Sequence, residues 1–137
     1  MPPLLCDTRT QRRVDTILVV EDDPDSRRMF KMALAFAGYD VLEAGDGLDA
    51  LRVLDTKKPR LVVLDLGLPM LNGQVVLQEL AAQAQDVPVV IVTASPGPHD
   101  LPDADCILTK PVTPEKLVET VRRCLASGSA ARNVSES

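Results

Sequence analysis

Three separated apolar runs in this sequence each end on ionisable side chains. The runs, with the residues that follow them, are 17–20 before Glu21 and Asp22, 61–64 before Asp65, and 106–109 before Lys110. A short β-branched run between turn signals is typical of a buried parallel strand. Ligands of open parallel sheets bind outside the carboxyl ends of the strands, so three carboxylates and one ammonium group are predicted to share a crevice.

Strand-like and helix-like segments alternate along the chain. Strands are predicted at 17–20, 41–44, 61–64, 89–92 and 106–108. Helices are predicted to begin at Asp23-Pro24, Asp46-Gly47, 75 and Thr113-Pro114. The first helix has an N-cap followed by proline, and Gly38 is predicted to end it. Pro59 is predicted to stop the second helix, and Gly128 to end order after the last one. The predicted fold class is therefore a doubly wound α/β domain with a five-stranded parallel sheet.

Length and composition indicate one domain. The 137 residues, of which 45% are hydrophobic, suffice for one core, and an aromatic share of 2% makes that core aliphatic. We place the domain at 16–126, after a polar N-terminal extension at 1–15. A polar tail at 127–137 is predicted to be disordered, and no second globular region is expected after it.

Charge and cysteine content exclude several classes of partner. The formal net charge of −5 argues against a nucleic-acid or anionic-membrane surface, because phosphates are bound by clustered Lys and Arg. Three widely spaced cysteines without a CxxC motif indicate a reducing compartment. The N-terminus lacks a secretion-signal pattern, and no apolar stretch approaches membrane-spanning length. The predicted location is the cytoplasm, with neither nucleic acid nor membrane as partner.

The predicted crevice carries an excess of negative charge. Glu21, Asp22 and Asp65 contribute three charges and Lys110 offsets one, so a divalent cation would relieve strong repulsion. Carboxylate oxygens together with retained waters are typical of Mg²⁺ sites, and we expect Asp22 and Asp65 to be direct ligands. Each acid alone could instead end a strand or cap a helix, and Asp23 is interpreted as a cap.

An aspartate in such a site can also attack phosphorus. The aspartyl phosphate that forms needs a metal, a cation and a hydroxyl donor around its oxygens. Thr93 ends the fourth predicted strand and supplies a hydroxyl, although it could also be an ordinary β-branched strand residue. Lys110 supplies the cation, and Pro111 after it permits a cis peptide bond that would place the ammonium group.

These residues resemble the motifs of one protein family. The motifs are Val19-Val20-Glu21-Asp22-Asp23, Leu64-Asp65-Leu66-Gly67-Leu68-Pro69-Met70-Leu71-Asn72-Gly73, Val92-Thr93-Ala94 and Leu108-Thr109-Lys110-Pro111. In order and spacing they are similar, over 16–126, to the receiver domain of two-component response regulators. The resemblance implies a flavodoxin-like sheet with strand order 2-1-3-4-5, which agrees with the predicted alternation of strands and helices.

The resemblance also implies a role for each site residue. Asp65 would be the phosphoacceptor and Asp22 a direct Mg²⁺ ligand, while Glu21 would act through water and Gly67 would lend a backbone carbonyl to the metal. The residues implied to hold the phosphoryl group are Thr93 and Lys110. The implied donor is a sensor histidine kinase or a histidine phosphotransfer protein, and the output is a contact with a downstream protein that the sequence does not identify.

Two segments depart from the family's pattern. Ile107 stands three residues before Lys110, where the family usually has an aromatic side chain, so an aromatic rotamer switch cannot operate there. Residues 95–105 form a shorter connection than usual and contain three prolines and a glycine. Because proline removes a helical hydrogen bond, the fourth helix is predicted to be absent or much shortened, which would alter the family's usual output face.

The predicted function is that of a single-domain response regulator, not an enzyme with turnover. A haloacid-dehalogenase-type phosphatase would need a second acid where Gly67 stands. A nucleotide or flavin module would need a phosphate-binding loop where Glu21 and Asp22 stand. A phosphorylation-independent interaction module on the same fold remains open, and both the shortened fourth helix and Ile107 favour it.

Overall fold

A computed structural model describes residues 15–66, 78, 79, 82, 87–94 and 106–136, with side chains up to residue 126. Three predictions lie outside these ranges: the backbone ligand at Gly67, the lost helix within 95–105 and the extension at 1–14. Gln78, Glu79 and Ala82 are helical, in agreement with the helix predicted over 75–84.

The centre of the fold is a parallel sheet of five strands. They are β1 (Thr16–Val20), β2 (Asp40–Ala44), β3 (Leu61–Asp65), β4 (Val89–Thr93) and β5 (Cys106–Thr109). Every neighbouring pair is parallel and the order is β2-β1-β3-β4-β5, which confirms the flavodoxin-like order. The three central strands are almost entirely buried, as expected for strands covered on both faces.

The strand order reverses between β1 and β3. The chain passes from β1 outward to β2 and then returns across the sheet to β3, on the other side of β1. At such a reversal the flanking connections diverge, and they leave a crevice beyond the carboxyl ends of the two strands. The sheet topology therefore places Asp65 and the residues after β1 at the expected binding position.

Three helices have described bounds: α1 (Pro24–Phe36), α2 (Gly47–Lys57) and α3 (Pro114–Glu136). The start of α1 is as predicted, because the Asp23 side chain accepts a hydrogen bond of 2.9 Å from the N–H of Ser26, and proline takes the first helical position. Its end is also as predicted. Gly38 follows with a φ of 105°, a conformation that favours glycine.

The ends of α2 follow the same chemistry. The Asp46 side chain accepts a hydrogen bond of 2.8 Å from the N–H of Asp49 and so caps the helix. At the other end, Lys58 has left-handed backbone angles and Pro59 follows it. Because proline lacks the N–H that a further helical turn would need, the helix stops where the sequence predicts.

The C-terminal helix is longer than predicted. Disorder is predicted from residue 127, with Gly128 ending order, but α3 continues to Glu136. One glycine costs about 1 kcal/mol in a helix interior, and the neighbouring Ala126, Ala130 and Ala131 are strong helix formers. The predicted end of this helix before Gly128 is therefore wrong, whereas disorder at 127–137 stays a prediction.

The sheet separates two core clusters. On the α2 side are Leu18, Val20, Ala44, Ala50, Leu54, Val62, Leu64, Val89 and Ile91. On the side of α1 and α3 are Ile17, Val19, Phe30, Leu34, Leu61, Val63, Val90, Val92, Leu108, Leu117, Val121 and Cys124. Phe30 is the one aromatic residue in these clusters, which confirms an aliphatic core in the described residues. None of the helices described is long and apolar enough to cross a membrane.

Candidate functional site

Three carboxylates lie at the carboxyl edge of the sheet, where β1 and β3 end side by side. Val20 and Leu64 are in register, so the residues that follow them, Glu21 and Asp65, are neighbours. Together with Asp22 they offer oxygens that all lie within 4.8 Å of one another. Glu21 and Asp65 are buried, whereas Asp22 is exposed. The structure thus brings together the three acids that the sequence predicts at this edge.

Lys110 reaches the acids from the end of β5. Its Nζ lies 3.3 Å from Oδ2 of Asp65 and 3.5 Å from Oε1 of Glu21. Its backbone N–H donates a hydrogen bond of 2.8 Å to the carbonyl oxygen of Thr93. The peptide bond between Lys110 and Pro111 is cis, as predicted. One ammonium group therefore pairs with two of the three carboxylates.

Thr93 lies at the same edge of the sheet. It is the last residue of β4, it is only 6% exposed, and its register partner on β5 is Thr109. The preceding residue, Val92, is in register with Asp65. The predicted hydroxyl donor therefore stands between the strand that carries the predicted acceptor and the strand that carries Lys110.

The carboxyl group of Glu21 is electrostatically unusual. Oε2 accepts a hydrogen bond of 3.1 Å from the N–H of Asp23, but the buried Oε1 has no hydrogen-bond partner among the described residues. Burial raises the pKa of Glu21 to about 7, and the nearby Asp65 carboxyl group adds to the rise. The carboxyl group therefore exchanges its proton near neutral pH in the metal-free protein.

The acids act on Lys110 in turn. Partial burial of the ammonium group would lower its pKa, but the adjacent carboxylates of Glu21 and Asp65 outweigh this effect, and the pKa of Lys110 is raised. The lysine is therefore charged throughout the physiological range. It supplies a fixed positive charge beside Asp65.

The donor set fits a hard divalent cation. Three carboxylates against one ammonium leave this cluster with an excess of negative charge, and Oε1 of Glu21 is buried without a hydrogen-bond donor in the described part of the chain. Oxygen ligands at this spacing suit Mg²⁺, which commonly binds one or two carboxylates and keeps several waters. The residues that could hold the ion directly are Asp22 and Asp65.

Arg27 also lies beside the site, and the sequence motifs do not identify it. Its Nη1 donates a hydrogen bond of 2.8 Å to the backbone oxygen of Glu21, and its Nε donates one of 3.3 Å to Glu43 on β2. The available signal was the helix dipole, because a basic residue in the first turns of a helix such as α1 meets an unfavourable field unless an acceptor holds it.

The sequence of this chain is similar to one known protein family. The family model of the response regulator receiver domain matches residues 17–122. The chain is 38% identical over 116 residues to a probable transcriptional regulator, ycf27, of Porphyridium aerugineum, and the match covers 81% of this chain and 48% of that protein. It is 35% identical over 125 residues to the alkaline phosphatase synthesis transcriptional regulatory protein PhoP of Bacillus subtilis, covering 88% and 52% respectively. The chain thus spans about half the length of these relatives.

Solved structures share the whole fold. The chemotaxis response regulator CheY4 of Vibrio cholerae superposes with a TM-score of 0.76 at 26% identity, over 80% of this chain and 98% of that chain. The match therefore extends over nearly all of that response regulator. The chain belongs to the response regulator receiver domain family.

Proposed function

We propose that this receiver domain accepts a phosphoryl group on Asp65 from a partner histidine kinase or histidine phosphotransfer protein, with Mg²⁺ as cofactor. The observation that carries the proposal is the placement of Lys110 Nζ 3.3 Å from Oδ2 of Asp65, beside a cluster of three acids whose oxygens lie within 4.8 Å. This combination of a nucleophile, a fixed cation and a metal-binding acid cluster is what phosphoryl transfer to a carboxylate needs.

The transfer exchanges one bond to phosphorus for another. A carboxylate oxygen of Asp65 attacks the phosphorus of a phosphohistidine, the P–N bond breaks, and its electron pair remains on the imidazole nitrogen of the donor. The product on this chain is a mixed anhydride, an aspartyl phosphate. Bound Mg²⁺ would supply charge neutralisation at the phosphoryl oxygens. Direct ligands would be Asp22, Asp65 and the backbone carbonyl of Gly67, with Glu21 acting through water.

Lys110 and Thr93 would hold the transferred group. The Lys110 ammonium would form a charge-assisted hydrogen bond with one phosphoryl oxygen, and the Thr93 hydroxyl would donate to another. At most the domain would catalyse its own phosphorylation and dephosphorylation. Its output would be an altered contact with a downstream protein.

Mass spectrometry tests the proposal. Incubation with a small acyl phosphate and Mg²⁺ should add one phosphoryl mass that is labile in base, and Asp65→Asn should abolish it, because an amide is a poor nucleophile. Asp46→Asn is the matched control, since it removes the same charge at a helix cap and Asp46 is not one of the three acids of the cluster. Undiminished labelling of the Asp65→Asn variant would contradict the proposal.

Ile107 favours a second candidate, an interaction module that does not depend on phosphorylation. This aliphatic residue occupies the position where the resemblance implies an aromatic switch, and it is 44% exposed on β5. Once a downstream protein has been isolated, binding that is equally tight to the unmodified chain, the phosphorylated chain and Asp65→Asn would support this alternative. Binding that strengthens or weakens on phosphorylation would support the phosphoacceptor.

The binding partners of this chain are likewise proposed. The relatives named as transcriptional regulators are about twice as long as the matched region, so their role in transcription belongs to those proteins. For this chain we propose protein partners only. The formal net charge of −5 disfavours direct contact with nucleic acid or with an anionic membrane.

A further inference from the structure

We infer that Arg27 is a positioning residue that orients the peptide unit between Glu21 and Asp22 and so fixes a metal ligand. The inference rests on the proposed function, because it concerns how the same Mg²⁺ site is held. Arg27 Nη1 donates to the carbonyl oxygen of Glu21 at 2.8 Å. That carbonyl belongs to the peptide bond that leads directly into Asp22.

Both polar backbone groups of Glu21 are held from outside its own strand. Its N–H donates a hydrogen bond of 3.0 Å to the carbonyl oxygen of Ala44, the last residue of β2. Its carbonyl oxygen accepts the hydrogen bond from Arg27. Glu21 follows the last residue of β1, so these two bonds hold its peptide groups in addition to the contacts of its side chain with Asp23 and Lys110.

The guanidinium group is itself held in place. Its Nε lies 3.3 Å from Oε1 of Glu43, and Oε2 of the same carboxylate lies 3.1 Å from Nζ of Lys31. A β-carbon at Gly45 would lie 3.4 Å from Arg27 Nη1, at van der Waals contact, so the guanidinium lies directly beside the backbone at the end of β2. The planar fork of arginine can bond Glu21 and Glu43 together, which the single nitrogen of lysine cannot do in the same geometry.

The charge of Arg27 and its positioning role predict opposite changes in Mg²⁺ affinity when Arg27 is replaced. A positive charge near a cation site repels the cation, so loss of the Arg27 charge would by itself strengthen Mg²⁺ binding. Loss of the fixed peptide orientation would weaken it, because residues that orient metal ligands typically contribute tenfold or more to affinity. The direction of the change therefore separates the two roles.

The first experiment measures Mg²⁺ affinity by calorimetry in the full chain. We expect Arg27→Gln to weaken binding by roughly tenfold. The matched control is Arg28→Gln, the same change at the next residue, which is exposed. Its affinity should be unchanged or slightly higher. Arg27→Lys keeps the charge without the fork, and we expect its affinity to stay below that of the unmodified chain.

The second experiment follows phosphorylation of Asp65 by a small acyl phosphate at increasing Mg²⁺. In Arg27→Gln the Mg²⁺ concentration for half-maximal rate should rise by roughly tenfold, in step with the affinity. The rate at saturating Mg²⁺ should stay near that of the unmodified chain, because Asp65 and Lys110 are untouched. A general loss of structure would instead lower the rate at every concentration, and it would contradict the inference.

Glu43→Gln tests the support of the guanidinium. If Glu43 acts through Arg27, the double variant should bind Mg²⁺ no more weakly than Arg27→Gln alone. Additive losses would overturn that link. Unchanged or stronger Mg²⁺ binding by Arg27→Gln, in a protein whose unmodified form binds Mg²⁺ and is phosphorylated, would overturn the positioning role alone. Absence of Mg²⁺ binding in the unmodified chain would overturn the proposed function as well.

Discussion

At the residue scale, the protonation state of Glu21 is subject to opposing effects. Its carboxyl group is 1% exposed, one oxygen is without a hydrogen-bond partner in the described residues, and its pKa is raised to about 7. Burial favours the neutral acid, whereas the ion pair with Lys110 and a metal both favour the carboxylate. A proton and the proposed Mg²⁺ would therefore compete for the same side chain near neutral pH.

This competition predicts pH-dependent Mg²⁺ binding. As the pH falls below about 7, the pKa of Glu21, the carboxylate is lost and the site loses a negative charge. Calorimetry should show Mg²⁺ affinity falling by roughly tenfold between about pH 8 and about pH 6. In Glu21→Gln, which carries no proton to release, the affinity should be lower and nearly constant over this range. An equal pH dependence in both proteins would refute the assignment to Glu21.

The stability of the metal-free protein should change in the opposite sense. Between pH 4.5 and about 7 the folded state keeps the Glu21 proton that the unfolded state has released, because the pKa is raised on folding. The free energy of unfolding should therefore fall as the pH rises through this window. Denaturant titrations without Mg²⁺ would measure it, with a smaller slope in Glu21→Gln. Lys110, whose pKa is raised from 10.5, does not titrate in this window.

The division of roles between the two adjacent acids can be measured. Asp22→Ala should weaken Mg²⁺ binding more than Glu21→Ala, because the first removes a proposed direct ligand and the second a proposed water-mediated one. For Glu21→Ala we expect roughly a tenfold loss. Since Asp22 is exposed, its removal should leave the free energy of unfolding of the metal-free protein unchanged or higher. Equal affinities in the two variants would contradict the division.

Sequence alone predicts the acids and the lysine of the site, but not the residues that hydrogen-bond to them and hold them in place. Glu21, Asp65 and Lys110 each follow an apolar run, so strand periodicity places them at one edge of the sheet. The partner of Arg27 on β2, Glu43, is 16 residues away, and no helical or strand spacing connects the two. The raised pKa of Glu21 was also beyond prediction, because it depends on burial.

At the element scale, the helix caps account for the accuracy of the predicted helix starts. Asp46 accepts the N–H of Asp49 at 2.8 Å, and replacement of such a cap by alanine typically costs about 1 kcal/mol. Asp46→Ala should therefore lower the free energy of unfolding by about 1 kcal/mol in denaturant titrations. Asp46→Asn should retain most of the stability, since asparagine is an equally good cap.

A second variant on the same helix controls for loss of charge. Asp55 is exposed near the end of α2, so Asp55→Ala should change the free energy of unfolding by less than about 0.5 kcal/mol. An equal loss of stability in Asp55→Ala and Asp46→Ala would show that the hydrogen bond to Asp49 is not the cause.

The C-terminal ends of helices are predicted correctly where a single residue cannot continue the helix. They are predicted wrongly where a residue only lowers helix stability. Gly38 follows α1 in a conformation with positive φ that favours glycine, and Pro59 follows α2 without the N–H that a further turn would need. Both effects depend on a single residue. Gly128 is only a modest penalty, and the alanine-rich sequence around it offsets that penalty in α3. Whether a helix passes a glycine depends on a sum over many residues.

At the scale of the whole molecule, Lys110 connects the edge strand β5 with the centre of the sheet. Its ammonium group pairs with Asp65, at the end of β3, and its backbone bonds to Thr93, at the end of β4. Lys110→Ala should still permit phosphorylation of Asp65, because Mg²⁺ neutralises much of the charge. The response of the fold should be smaller, since the ion pair with the phosphoryl group is lost.

Amide spectra before and after phosphorylation would measure this response. In the unmodified chain we expect shifts in β5 and the first turns of α3, and in Lys110→Ala we expect these shifts to shrink. Lys116→Ala, an exposed lysine in α3, is the matched control. Shifts of full size in Lys110→Ala would refute the coupling.

The strand order was predictable from the family resemblance and only partly from the residues. Alternating strands and helices require right-handed parallel connections, but they allow more than one order of strands. The family resemblance resolves that choice, because it implies an order in which Asp22 and Asp65 reach one crevice. The order β2-β1-β3-β4-β5 satisfies this condition.

The amide proton of Glu21 offers a way to observe the site by hydrogen exchange. Its acceptor is the carbonyl oxygen of Ala44, at the end of the edge strand β2, whereas the N–H of Val62 on the central strand β3 donates to the carbonyl oxygen of Pro88, just before β4. Detachment of an edge strand requires less free energy than opening of the central sheet. Deuterium should therefore enter at Glu21 sooner than at Val62. The exchange rate at Glu21 would report how often the hydrogen bond between its N–H and Ala44 on β2 opens.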